Sequence, residues 1–199
     1  MRADFDIIDQ WITPRSRVLD LGCGDGQLLD KLRQTRQVTG LGLEIDDTKL
    51  VKCIARGIKV IQFDLDAGLK ELFDNDSFDY VVMSQTLQAV HHPDMLLEEM
   101  LRVGRTGIVT FPNIAHWHSR AQLMFRGLMP QTRVLPNRWY NNPNIHLCTL
   151  RDFENLCRDK SIRIEERTVA DHSQRRSFGS RLWPNLLGEV AVYRIGRGE

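Results

Sequence analysis

The chain has 199 residues, 42% hydrophobic and 27% charged, enough to bury a full core as a single domain over residues 1–199 without help from a partner. A net charge of +1 leaves no broad basic face for a phosphate backbone, which excludes nucleic acid as a partner, and no apolar run is long enough to span a membrane. Met1-Arg2-Ala3-Asp4-Phe5-Asp6 does not read as a signal peptide, so the expectation is a cytoplasmic protein, and Cys23, Cys53, Cys148 and Cys157 lack the spacing of structural zinc or a disulfide framework.

Helical and strand patterns alternate without repeats or a linker. A helix over residues 3–11 precedes a first strand, Val18-Leu19-Asp20-Leu21, which breaks into the turn Gly22-Cys23-Gly24-Asp25-Gly26. Helices over 26–33, 47–56 and 93–103 separate the following strands, which are 41–46 with Glu44 at its end, 60–65 ending in Asp64, 78–83 followed by Ser84-Gln85, and 107–111. An irregular stretch rich in Pro, Asn and aromatics follows, then a helix over 150–158 and two last strands, 162–169 and 189–195. This alternation predicts a doubly wound α/β sheet.

Open α/β sheets bind ligands in the crevice beyond the carboxyl ends of their strands, where four of these strand ends converge. A turn with little side-chain bulk lets a nucleotide-like ligand lie against the main chain, and Asp20 at the strand tip accepts from its polar groups. A dinucleotide fingerprint needs a third glycine three residues after the second, and that position is Gln27, which speaks against NAD. Glu44 is placed where an acid accepts both ribose hydroxyls; its alternative is a solvated turn residue. Cys23 reads as a small packing residue, since nothing nearby in sequence activates it.

Glycine at every second position from Gly22 to Gly26, with Asp20 two residues before the first, resembles motif I of the class I S-adenosylmethionine (SAM) dependent methyltransferases. The resemblance implies a seven-stranded, mostly parallel Rossmann-like sheet with the last two strands antiparallel at its edge, and SAM or S-adenosylhomocysteine as the ligand. It sets Asp20, Gly22, Cys23, Gly24 and Gly26 against the methionine part and Asp64 against the adenine amino group. Ile45 and Leu65 stand beside the two acids, and Ser84-Gln85 closes the pocket near the methyl-bearing sulfur. The alternative for Asp64 is a cap on a helix starting near Asp66.

Ser84-Gln85-Thr86-Leu87-Gln88 stands where amino-directed nucleic-acid methyltransferases carry an Asn/Asp-Pro-Pro-aromatic turn, which disfavours base methylation. His91, His92 and Tyr140 are the candidates to orient an acceptor, although histidines at a helix start also bond backbone groups. His116 and His118 lack a third ligand at suitable spacing, so no metal site is expected. Residues 100–151 contain none of the chain's 26 acids but carry Arg102, Arg105, Arg120, Arg126, Arg133, Arg138 and Arg151. With Trp117, Met124, Phe125, Met129, Trp139 and Tyr140, this is the mixture enriched at protein interfaces. The section is either a partner-docking surface or, over residues 115–126, a lid on the cofactor with its arginines paired to acids elsewhere.

Together with the glycine motif, Ser84-Gln85-Thr86-Leu87-Gln88, Phe111-Pro112-Asn113, Trp139-Tyr140 and Pro143-Asn144-Ile145-His146-Leu147-Cys148-Thr149 resemble the methionine biosynthesis protein MetW family nearly end to end. That resemblance implies an accessory or regulatory subunit that reads SAM and supports the homoserine O-acyltransferase MetX. The alternative function is a SAM-dependent methyltransferase acting on a small-molecule acceptor.

Overall fold

The computed structural model describes residues 2–170 and 183–198. Five strands run parallel: β1 (Arg17–Leu21), β2 (Thr39–Glu44), β3 (Val60–Gln62), β4 (Phe78–Ser84) and β5 (Gly104–Pro112). The strands β6 (Ile162–Ala170) and β7 (Val190–Arg197) join antiparallel, giving the seven-stranded order β3-β2-β1-β4-β5-β7-β6. This is the seven-stranded, mostly parallel Rossmann-like sheet that the resemblance implies. β1 pairs with β2 on one side and β4 on the other, so the chain direction of winding reverses there and a crevice opens at their carboxyl ends.

Residues 18–21 of β1 are all buried, as a central parallel strand covered on both faces requires. Helices α1 (Ala3–Trp11), α2 (Gln27–Arg36) and α3 (Asp47–Ala55) cover one face through Phe5, Ile8, Leu29, Leu32 and Cys53, which pack on Val18 and Val82. Helices α4 (Pro93–Val103) and α6 (Leu150–Asp159) cover the other through Leu97, Met100, Phe153 and Cys157. There Phe111, Phe153 and Tyr193 form an aromatic cluster, with Phe153 and Tyr193 ring centroids 4.7 Å apart. Helix α5 (Trp117–Arg126) follows β5, with Ser119 its buried residue. Among the described residues no helix is long and apolar enough to cross a membrane.

Several element bounds differ from the sequence reading, β2 among them at Thr39–Glu44, and three differ for a clear local reason. β3 stops at Gln62, because Asp64 turns aside to accept from the Asp66 N–H (3.0 Å) and cap a 3-10 turn at Leu65–Ala67. α2 runs on to Arg36, where Gln37 adopts a left-handed φ of 57° and returns its N–H to the Arg33 carbonyl. β5 begins at Gly104, since α4 passes into it without a loop and Gly104 already pairs with Phe78.

Candidate functional site

The turn after β1 carries Gly22, Gly24 and Gly26 at φ of 71°, 60° and 78°. Glycine reaches this left-handed region without a Cβ penalty, but the three serve different ends. A Cβ on Gly22 would fall 2.5 Å from Thr86 Cγ2, and one on Gly26 would fall 3.1 Å from Cys53 Sγ. These two glycines therefore let the turn pack against the loop after β4 and against α3. A Cβ on Gly24 would meet no heavy atom within 4 Å, so this position opens onto free space. The turn is anchored to β2: Gly22 and Cys23 donate to the Leu43 carbonyl, both at 2.9 Å, and Gly24 N–H donates to Glu44 Oε2 at 2.8 Å.

Asp20 is 1% exposed, and its Oδ1 has no hydrogen-bond partner among the described residues. Burial pushes its carboxyl up to about 7, against the pull of Arg2 and with a further push from Glu44. An unpartnered buried acceptor costs free energy, so Oδ1 marks a place where a donor is due. With Gly22, Cys23, Gly24, Ser84, Arg2 and Phe5 it lines a cavity of about 130 Å³. The open main chain at Gly24 and the unpartnered carboxylate oxygen fit a ligand that brings donors to the tip of β1.

Glu44 is buried rather than solvated, which sets aside the turn-residue alternative. Its Oε1 accepts from the Ile45 and Asp46 N–H groups, each at 3.0 Å, and Oε2 from Gly24. Of the roughly four acceptor positions of a carboxylate, one on Oε2 is left for a ligand. Ile45 is exposed and Leu65 half-buried at the neighbouring strand ends. Asp64 is exposed and serves as the cap described above.

Sequence reasoning missed Arg2, Asp4, Phe5 and Thr110. Asp4 lies on the buried face of α1 beside Phe5 and Ile8 and is 2% exposed. Its Oδ2 accepts from Arg2 Nη2 at 2.6 Å, Thr110 Oγ1 at 3.1 Å and Ser84 Oγ at 3.2 Å, and its Oδ1 accepts from Arg2 Nε at 3.2 Å. An acid inside the apolar stripe of a short helix was the available signal. Ser84 is drawn into this cluster and lines the cavity, whereas Gln85 holds a left-handed φ of 58° at the end of β4 with its N–H on the Thr110 carbonyl.

The structure does not bring His91, His92 and Tyr140 to the cavity lining. His91 is exposed, with Nδ1 2.6 Å from Asp66 Oδ2; that hydrogen bond raises its affinity for a proton. His92 precedes α4 on the surface, and the Tyr140 hydroxyl accepts from Arg138 at 3.0 Å. Cys23 packs with its Sγ 3.8 Å from Cys53 Sγ, and burial followed by the Asp20 charge pushes its thiol up, consistent with a packing role. Among the described residues no three His, Cys, Asp or Glu side chains are grouped to hold a metal.

Beyond β5 the large apolar side chains of the acid-free section are largely exposed. Only Ser119 of α5 is buried, while Met124 and Phe125 are 73% and 77% exposed and Trp139 is 75% exposed. Polar contacts fix the section instead: Gln122 and Gln131 exchange two hydrogen bonds, Asn113 donates to the Asn185 and Gly188 carbonyls, and His146 N–H donates to the Gln88 carbonyl. Of its seven arginines only Arg102 has an acid, Glu99, within ion-pair distance among the described residues. The section ends where Thr149 and Asp152 close a capping box on α6.

The family profile of the methionine biosynthesis protein MetW matches residues 2–195. The bifunctional methionine biosynthesis protein MetXA/MetW of Rhodopirellula baltica is 36% identical over 206 residues, covering 99% of this chain and 33% of that protein. The chain thus spans about a third of the length of the curated relative it matches. A SAM-dependent methyltransferase from Mesorhizobium loti has a TM-score of 0.68 at 18% identity, with 98% of each chain covered. The [4+2]-cyclase SpnF has a TM-score of 0.67 at 14% identity, covering 98% of this chain and 80% of its own. At these identities the structural likeness shows the fold alone, and the two names attach different chemistries to it.

Proposed function

This chain belongs to the methionine biosynthesis protein MetW family, and from that premise we propose that it is a cytoplasmic, SAM-binding accessory or regulatory subunit of the homoserine O-acyltransferase MetX. One observation carries the partnership: the name of the Rhodopirellula baltica relative joins MetXA and MetW in one protein. Fusion holds two modules at high effective concentration, which suits a pair that works together. Made as separate chains, the two need an interface. The exposed apolar side chains of α5 and the segment leading to α6, set among arginines without ion-pair partners among the described residues, suit an acyltransferase face that bears carboxylates.

For SAM, Asp20, Gly22, Cys23, Gly24 and Gly26 serve the methionine part, Glu44 and Ile45 the ribose, Asp64 and Leu65 the adenine, and Ser84 and Gln85 the region of the sulfur. The unpartnered Oδ1 of Asp20 and the open face of Gly24 support this assignment. Glu44 has one acceptor position ready for a ribose hydroxyl; a second bond requires one of its main-chain donors to let go. Bound SAM would supply a cationic sulfonium and an adenosyl group. To regulate, it must bind one state of the complex more tightly than the other, since equal affinity shifts nothing.

A methyltransferase acting on a small acceptor is the second reading, and the fold shared with the Mesorhizobium loti enzyme is what favours it. Acylation of homoserine by MetX, measured with and without this chain and titrated with SAM, separates the two. The accessory reading expects acylation to rise when the chain is added; unchanged acylation ends it. Metabolite-dependent formation of S-adenosylhomocysteine would establish the second reading.

A further inference from the structure

A separate cavity of about 360 Å³ lies where α5, the start of α6 and the short helix α7 (Pro184–Leu187) meet beside β6. Arg120, Arg151, Arg167, Glu154 and Trp183 are among its walls. We infer that this cavity is the anchor pocket of the acyltransferase interface: it receives an aspartate or glutamate side chain of the partner, and Arg120 and Arg151 bind its carboxylate. The inference rests on the proposed accessory reading and adds to it a point of attachment that no sequence motif marks.

The charge in the cavity is unbalanced. Its one acid among the described residues, Glu154, is already committed, because its Oε1 accepts from Arg167 Nη1 at 2.7 Å and from the Tyr193 hydroxyl at 2.9 Å. Arg120 and Arg151 have no acid within ion-pair distance among the described residues, so two positive charges are left unmatched. Arg120 is aimed by its own backbone: Nε donates to the Ala115 carbonyl at 2.6 Å, and the rest of its fork has no protein partner among the described residues. A planar fork held at Nε and free at its end matches a carboxylate. The walls are tied together by Asn185, whose Oδ1 accepts from the Leu150 N–H at 3.2 Å and whose carbonyl accepts from Asn113 Nδ2 at 3.0 Å.

The rim favours a protein side chain over a free anion. Trp117 and Met124 stand three residues before and four after Arg120, which puts them on its face of α5, and both are exposed, as is Trp183 in the wall. Arginine in a pocket ringed by exposed apolar side chains is the make-up of an interface hot spot. The rim excludes water once a partner is seated, and the charge pair inside it strengthens. No acid within residues 100–151 competes for these arginines.

Titration of MetX with the wild type and three double variants tests the inference. Arg120→Gln with Arg151→Gln is expected to lose tenfold or more in affinity for MetX, together with part of the salt dependence of binding. Lys59→Gln with Arg158→Gln removes the same charge from exposed positions outside the cavity and should stay within twofold. Arg120→Lys with Arg151→Lys keeps the charges but not the forks and should fall between the two. Full affinity in the cavity variant overturns the inference, and so does an equal loss in the variant outside it. Glutarate, titrated by calorimetry against the chain alone, probes a free anion; binding that the cavity variant abolishes, with MetX association untouched, would make the pocket a metabolite site and overturn the inference. No association of the wild type with MetX would end the accessory reading as well, whereas association that survives the cavity variant ends the inference alone.

Discussion

Replacing Asp20 by Asn keeps the shape of the side chain and removes a charge buried without a partner at Oδ1. In the folded chain its carboxyl titrates at about 7, against an ordinary 3.8. That gap of about three decades in proton affinity corresponds to about 4 kcal/mol at 1.36 kcal/mol per decade. The folded state binds the proton more tightly than the unfolded chain, so this group favours folding in acid. Its contribution is full below pH 4, declines as pH rises, and is gone above the folded value of about 7. Arg2 and Glu44 are the charged groups that act on it, and both remain in the variant. Urea unfolding of the wild type and Asp20→Asn across pH 4 to 8 should give curves that diverge, the variant gaining up to about 4 kcal/mol relative to the wild type by pH 8. Parallel curves would refute the claim that Asp20 is a strained, unpartnered carboxylate. Saturating SAM, if it supplies the missing donor, should flatten the wild-type slope.

The glycine turn predicts a split between stability and binding. Gly24→Ala bears only the left-handed strain of about 1–2 kcal/mol and should lose SAM affinity, because its methyl enters the space the ligand needs. Gly22→Ala adds overlap with Thr86 and should cost a further 1–3 kcal/mol or so in unfolding free energy, read as a lower urea midpoint. The proposed docking surface predicts that Arg126→Glu with Arg133→Glu weakens association with MetX by tenfold or more in a binding titration while SAM affinity stays unchanged; intact association would place the interface elsewhere.

The sheet was readable because its central strands are buried on both faces, so apolar runs such as Val18 to Leu21 stand out between helical patterns. The antiparallel edge came from family resemblance, since nothing in the periodicity of residues 162–169 and 189–195 states the direction of pairing. Asp64 shows how one residue type at one place admits two readings. An acid after a strand can cap the next turn or face the crevice, and only coordinates reveal that its carboxylate accepts from the Asp66 N–H. Arg2 and Asp4 were illegible for a different reason. Asp4 meets Ser84 and Thr110, 80 and 106 residues away, so the cluster exists only once α1 is laid across the ends of β4 and β5. A local pattern reports what a segment contributes to its own element; a polar cluster assembled from three elements leaves no spacing to read. The acid at an otherwise buried helix position is its one trace, and a buried acid on an apolar face is therefore a reason to look for the donors that surround it.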